Sequence, residues 1–213
     1  MPGSPVMKLY ERFVLPRVVH CVCGSTPFRT QRRKVVPGAT GRVLEIGFGS
    51  GLNLPYYDST RVEGLFALEP DPSMWKLAKP TVRRSPFPVE PLLAGAEAIP
   101  LPDDSVDTVV STYTLCTIPE VERALREIRR VLRPAGRFRF CEHGRAPDPG
   151  PARWQDRVQP VWRRFSGGCQ LTRDVAEMLS EAGFDTTGFE SRYLPGWRPA
   201  TYNTWGATQA SGS

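Results

Sequence analysis

The chain has 213 residues, of which 40% are hydrophobic, so it is long enough for one compact domain with a sizeable core. It has no run of about 18 uninterrupted apolar residues and no clear leader, so we expect neither a transmembrane helix nor a signal peptide. Its net charge is +6, and its five cysteines lack disulfide-like regularity, which fits a reduced, cytoplasmic protein.

The first 40 residues carry the excess positive charge, because they contain seven basic residues and a single acid, Glu11. Apolar residues at helical spacing on both sides of Pro16 predict an amphipathic helix that is kinked or ends near this proline. We expect segment 1–40 to cover the cleft of a domain at 41–213 as a lid. Weak contact with an anionic membrane is the alternative. Nucleic acid is not an expected partner, because the basic residues lack interleaved aromatic side chains.

Cys21 and Cys23 lie two residues apart, a spacing that also occurs in metal sites. A structural zinc site needs about four ligands, and the chain offers only His20 and His143 as imidazoles and no second cysteine pair. We therefore predict no metal.

Within residues 43–51, a short apolar run that contains Glu45 is followed by Gly47, Gly49 and Gly51. The run predicts a buried parallel strand, and the glycines predict a turn where backbone approaches a ligand at the start of a helix. The spacing differs from the dinucleotide-binding fingerprint, because position 52 is Leu.

Glu69 closes a second apolar run, residues 64–68, and is followed by Pro70. In nucleotide-binding folds of this type an acid about 20 residues beyond the glycine turn holds the ribose hydroxyls. The alternative is a solvated acid near a helix N-terminus.

Residues 94–113 predict a turn through 100–104 and a strand from Val106. Residues 124–143 predict a helix with a solvated arginine face, followed by a strand in which arginine and phenylalanine alternate at 137–140. Gly136 is expected to permit the reversal between them.

These four segments, taken in order across residues 42–143, resemble the class I S-adenosylmethionine (SAM)-dependent methyltransferases. The resemblance implies an α/β fold with a Rossmann-like sheet of seven strands, mostly parallel with an antiparallel last strand, and helices on both faces. It implies S-adenosyl-L-methionine as the cofactor. The residues implied to hold it are Glu45, Gly47, Gly49, Gly51, Glu69, Pro70, Ala96, Glu97 and Ser111.

One position departs from the family pattern, because many relatives carry an aspartate for the adenine amino group where this chain has Gly95. Adenine is then expected to be held by the backbone of Ala96, by apolar packing and by Glu97.

The C-terminal third predicts two helices and two strands. The first helix, at 154–165, is expected to be interrupted at Pro160. The second is expected to begin at Thr172 as N-cap and to end at Gly183. The strands are expected near 185–193 and 201–207.

The sequences LCTIPE (115–120), CEH (141–143) and CQLTR (169–173) resemble a narrower branch, the animal thiol S-methyltransferases and their bacterial relatives. This implies a small, apolar methyl acceptor, with a thiol favoured. A methyltransferase of quinone or lipid biosynthesis is the alternative, and a SAM-binding regulatory protein without turnover is the alternative from another class. The chain has 4 lysines against 24 arginines, which suggests a bacterial source with a GC-rich genome.

His143, at the end of the fifth predicted strand, is the candidate general base, and Tyr113 is a weaker one. A thiol reacts as its thiolate and needs little help from a base, whereas a phenol or amine acceptor would benefit from one. The sequence carries no signal for an oligomeric state.

Overall fold

The computed structural model describes residues 7 and 9–209 of the chain. Residues 1–6 and 8 of the predicted N-terminal segment lie outside the described part. Within the described part, no helix is long and apolar enough to cross a membrane.

A seven-stranded sheet forms the centre of the molecule, with the strand order β3-β2-β1-β4-β5-β7-β6. The first five strands are mutually parallel, and β7 is antiparallel to both β5 and β6. The predicted fold class is therefore confirmed. The strands are β1 Gly41–Ile46, β2 Val62–Leu68, β3 Val89–Leu92, β4 Val106–Thr112, β5 Leu132–His143, β6 Glu190–Tyr193 and β7 Tyr202–Thr208.

Six α-helices accompany the sheet in the described part of the chain. They are α1 Leu15–Cys23, α2 Thr26–Val35, α3 Pro72–Val82, α4 Val121–Val131, α5 Pro149–Phe165 and α6 Val175–Glu181. A single π-helical turn, Tyr10–Val14, precedes α1, and Pro16 lies in the first turn of α1, where its missing N–H costs no hydrogen bond.

The central strands bury both faces, because alternate residues enter two separate cores. Leu44 and Ile46 of β1 belong to the larger core, which α4 and α6 cover, whereas Val43 packs into the smaller core against residues of α3 such as Ala78. Strands buried on both faces read as continuous apolar runs, and this is why residues 43–46 and 64–68 could be predicted.

The C-terminal helices differ from the prediction in two places. Helix α5 begins at Pro149, five residues earlier than expected, and continues through Pro160, which is exposed. Helix α6 is capped by Asp174, which accepts hydrogen bonds from the amides of Ala176 and Glu177, and not by Thr172. The aspartate lies directly before the first helical residue, where its carboxylate reaches those amides.

Gly136 acts differently from the prediction as well. Its φ is not in the left-handed region, so the reversal does not depend on that conformation. A Cβ at this position would lie 2.9 Å from the carbonyl oxygen of Arg133 and 2.9 Å from Leu132 Cδ2. Lack of space therefore excludes a side chain here.

Candidate functional site

The glycine turn follows β1 directly and adopts a backbone that other residues rarely use. The φ angles of Gly47, Gly49 and Gly51 are +64°, +57° and +77°. At Gly47 a Cβ would lie 2.3 Å from Thr114 Cγ2, so a side chain there would collide with the loop after β4. The turn lies at the carboxyl end of the sheet, where open α/β sheets bind ligands, and its glycines bring no side chains of their own to that place.

Glu69 lies beside this turn, at the end of β2. Its Oε2 accepts from the amide of Gly49 and its Oε1 from the amide of Asp71, both at 2.9 Å. Burial raises the pKa of this carboxyl group, and the two amide hydrogen bonds oppose the shift. Pro70, the next residue, is exposed. The structure therefore brings the predicted ribose acid against the predicted glycine cradle.

Glu45 lies below the turn, inside the protein. Asn53 Nδ2 donates to one carboxyl oxygen at 2.9 Å and the Tyr57 hydroxyl donates to the other at 2.7 Å. Burial raises the pKa of Glu45 to about 8, and these hydrogen bonds offset only part of the increase.

This pKa predicts that the protein loses stability as the pH rises. The carboxyl group of Glu45 loses its proton near pH 4.5 in the unfolded chain but only near pH 8 in the folded protein. The free energy of unfolding therefore falls as the pH rises across this interval. The penalty reaches at most about 5 kcal/mol at pH 8. Urea denaturation between about pH 5 and pH 8 should show a smaller loss of stability for Glu45→Gln than for the wild type. The exposed Glu63→Gln serves as the control, and equal losses in all three proteins would contradict the assignment.

The predicted adenine side is assembled around Gly95. Ala96 is buried in the larger core, and Glu97 Oε2 lies 2.7 Å from the place where a Cβ on Gly95 would be. The Glu97 carboxylate thus occupies the space that a side chain at position 95 would need. Ser111 is fully buried in β4 and donates to Glu142 Oε1 at 2.8 Å, so its hydroxyl faces the interior of the sheet.

Helices α1 and α2 close over the glycine turn. His20 Nδ1 lies 2.7 Å from Ser50 Oγ, and Arg32 Nε donates to Asn53 Oδ1 at 2.9 Å. Only a small cavity of about 60 Å³ is left between these helices and the turn. Glu45, Gly47, Gly49 and Tyr113 line it.

A second, larger cavity of about 820 Å³ opens beside the first. Its wall is mainly apolar and comes from α1, α2, α5 and the C-terminal segment. Examples are Val18, Val22, Phe28, Trp162, Phe165 and Trp197. The two cavities share Val19, Cys23 and Tyr113 as lining residues. A ligand in the large cavity therefore lies next to a ligand on the glycine turn.

Tyr113 separates the two cavities and has a φ of +58°, which is unusual for a residue with a side chain. Its hydroxyl donates to Asn203 Oδ1 at 2.7 Å and accepts from Cys141 Sγ at 3.3 Å. Burial and the neighbouring Cys141 raise its pKa well above the usual value for a tyrosine. These contacts favour a role for the ring as a wall over a role for the hydroxyl as a base.

His143, the other predicted base, lies on the wall of the large cavity. Its ring stacks on Tyr113 with centroids 6.4 Å apart, and its Nε2 lies 3.2 Å from Cys169 Sγ. Its buried Nδ1 has no hydrogen-bond partner in the described part of the chain. The neighbouring Glu142 instead accepts from Ser111 and from the amide of Thr114.

Cys116 and Cys169 complete a cluster with His143 that the sequence did not predict. The donor atoms of the three residues all lie within 4.8 Å of one another. A hydrogen bond from Cys116, together with the adjacent His143, lowers the pKa of Cys169 to about 4. Cys116 lies in segment 115–120 and Cys169 in segment 169–173. The one sequence signal for the cluster was therefore a cysteine in each of these two segments.

Comparison with known proteins identifies relatives for most of the chain. A family described as "Methyltransferase domain" matches residues 44–140. Human thiol S-methyltransferase TMT1B is 35% identical over 174 residues, which cover 78% of this chain and 70% of that protein. Phosphatidylethanolamine N-methyltransferase of Cereibacter sphaeroides is 35% identical over 156 residues, which cover 71% of this chain and 73% of that protein.

Solved structures agree on the fold. A SAM-dependent methyltransferase from Thermotoga maritima superimposes with a TM-score of 0.66 at 21% identity, covering 96% of this chain and 99% of that one.

Proposed function

The chain belongs to the class I SAM-dependent methyltransferases, and we propose that it transfers the methyl group of SAM to a small, apolar thiol. SAM as methyl donor follows from the family and the fold. The identity of the acceptor is the proposal.

The composition of the large cavity carries this proposal. Among the described residues that line it, none carries a carboxylate, and Arg157 is the only lysine or arginine. An amine acceptor, which is protonated near neutral pH, would bring a positive charge into this wall without an acid to pair with it, at a considerable desolvation cost. A thiol reaches its reactive state by losing a proton, so it enters as a neutral molecule and reacts as an anion.

The cofactor is proposed to lie on the glycine turn. Glu69 would hold the ribose hydroxyls, and Glu97 would accept from the adenine amino group, because its carboxylate fills the space left by Gly95. The backbone of residues 47–51 would accommodate the methionine part. Tyr113 lines both cavities, so a methyl donor held on the turn would lie beside an acceptor in the large cavity.

The transfer itself needs alignment more than acid or base catalysis. SAM would supply an activated methyl carbon to the thiolate sulfur, and the electron pair of the bond from that carbon to the sulfonium sulfur would stay on the sulfonium sulfur. A negative and a positive reactant thus give two neutral products, a thioether and S-adenosylhomocysteine. Proximity alone can contribute about 7 to 11 kcal/mol, and an apolar cavity favours a reaction that removes charge.

A methyltransferase of lipid or quinone biosynthesis is the second candidate, and the rim of the large cavity supports it. Val18, Val22, Val161, Phe165 and Trp197 line this cavity and are also exposed. An apolar rim of this kind would suit an acceptor presented by a membrane, and the basic N-terminal segment would suit an anionic surface.

An acceptor screen with radiolabelled SAM tests the two candidates. We expect the full chain to label small aryl and alkyl thiols, because they fit the apolar wall and need no acid. The oxygen analogue of each thiol is the matched control and should remain unlabelled, because alcohols and phenols are mostly un-ionised near neutral pH. Label in quinols or in phosphatidylethanolamine vesicles, without label in any thiol, would contradict the proposal and support the second candidate.

A further inference from the structure

Three metal-ligating side chains meet at the wall of the large cavity. Cys116 comes from the loop after β4, His143 from the end of β5, and Cys169 from the loop after α5. All three line the same cavity. The sequence prediction of no metal considered only Cys21 and Cys23 as a cysteine pair, and it did not foresee that the fold brings these distant residues together.

We propose that Cys116, His143 and Cys169 form a zinc site with an open fourth position. Two thiolates and one imidazole are a ligand set that Zn²⁺ prefers, and catalytic zinc sites typically use three protein ligands. Tetrahedral zinc places such ligands about 3.5 to 3.8 Å apart, given bonds of about 2.3 Å to sulfur and about 2.0 Å to nitrogen. The donor atoms here are all within 4.8 Å, and the 3.2 Å contact of His143 with Cys169 would need to widen only slightly.

Neighbouring groups hold these three side chains in position. Trp162 Nε1 donates to Cys169 Sγ at 3.2 Å, and the amide of Gln170 donates to the carbonyl of Cys116 at 2.9 Å, which ties the two cysteine loops together. The ring of Tyr113 stacks on His143 at an interplanar angle of 18°. Outer contacts of this kind orient the ligands of a metal and contribute to its affinity.

The fourth position faces the acceptor cavity, which suggests what the metal does. This step rests on the proposed function. A thiol that binds the zinc loses its proton to solvent and becomes a coordinated thiolate, positioned beside the cofactor cavity. After the methyl group has been transferred, the sulfur is a neutral thioether, which is a poorer ligand and leaves. The imidazole of His143 would then serve as a ligand and not as a general base.

Cobalt substitution tests the site without any assay of turnover. The full chain, reduced and freed of metal by a chelator, should take up one equivalent of Co²⁺. The complex should show thiolate-to-cobalt charge transfer with the visible bands of a tetrahedral ion, and Zn²⁺ should displace the cobalt. Loss of an outer-shell partner weakens metal binding by about 10- to 100-fold. Loss of a ligand should cost at least as much, so we expect a loss of Zn²⁺ affinity of about this size or more in each of Cys116→Ala, Cys169→Ala and His143→Ala. Cys21→Ser, which removes an exposed thiol outside the cluster, should bind as the wild type does.

The outcomes separate the metal site from the thiol acceptor. The zinc site would be overturned if the reduced wild type took up no stoichiometric cobalt, or if all three alanine variants kept the wild-type affinity. Thiol methylation by the same metal-free protein would then leave the proposed function standing. Cobalt uptake with a visible spectrum that shifts on addition of an acceptor thiol supports both. Cobalt uptake with no thiol methylation supports the site and overturns the acceptor.

Discussion

Glu69→Ala is expected to reduce the affinity for SAM by about 100-fold or more. The substitution removes a carboxylate that we propose to accept two hydrogen bonds from the ribose, and a hydrogen bond to a charged group contributes about 1.5 to 3 kcal/mol. The measurement is calorimetric titration of SAM into the folded protein. Glu63→Ala is the matched control, because it removes an exposed acid from β2, the strand that Glu69 directly follows.

The glycine turn provides a second variant for the same site. Gly49→Val would force a branched side chain onto a φ of +57°, at the place where backbone must approach the methionine part of SAM. Gly188→Val imposes similar backbone strain at a φ of +83°, with no atom within 4 Å of the added Cβ. Loss of SAM binding should therefore occur in Gly49→Val alone. Wild-type affinity in both Glu69→Ala and Gly49→Val, with unchanged circular dichroism, would refute the placement of the cofactor.

Deletion of residues 1–24 is expected to lower turnover by about tenfold or more, which corresponds to a loss of at least about 1.4 kcal/mol. The deletion removes α1, which supplies Val18, Val19 and Val22 to the large cavity and the His20 contact with Ser50 above the glycine turn. Water would then enter both cavities, and SAM would dissociate faster. Far-UV circular dichroism should show that the sheet stays folded, because α1 lies outside the central sheet.

A membrane tether would give the opposite pattern. Deletion would then spare turnover on a soluble thiol and abolish co-sedimentation with anionic vesicles. The double variant Arg12→Gln, Arg17→Gln is the control, because it removes two exposed charges and leaves the cavity walls intact. Its turnover should equal that of the wild type if the segment is a lid.

Strands β1, β2 and β4 could be predicted from sequence because each has a local signal, whereas β3, which is only partly buried, was not predicted. Residues buried on both faces of a sheet give continuous apolar runs, and the glycine turn needs a backbone that glycine adopts most readily. Helix boundaries were less accurate, since Asp174 and Thr172 both satisfy the residue preferences of an N-cap and only the backbone path decides between them. Pro160 shows that the sequence alone does not decide whether a proline ends a helix. The helix continues through this residue, which lies on an exposed face.

The cysteine cluster could not be predicted because its members are far apart in the chain. Cys116, His143 and Cys169 come together only through the pairing of β4 with β5 and the return of the chain after α5. Local spacing instead drew attention to Cys21 and Cys23, of which the first is exposed. The bacterial source, inferred from the excess of arginine over lysine, stays a prediction.

Helix α1 is a wall of both cavities, and this has a kinetic consequence. A single outward movement of α1 would open the cofactor cavity and the acceptor cavity together. The exit of S-adenosylhomocysteine and the exit of the methylated product would then share one rate constant, and this step rather than methyl transfer would limit steady-state turnover. Rapid mixing of the preformed SAM complex with an acceptor would then give a burst of product equal to the enzyme concentration, and solvent viscosity would slow only the phase that follows the burst.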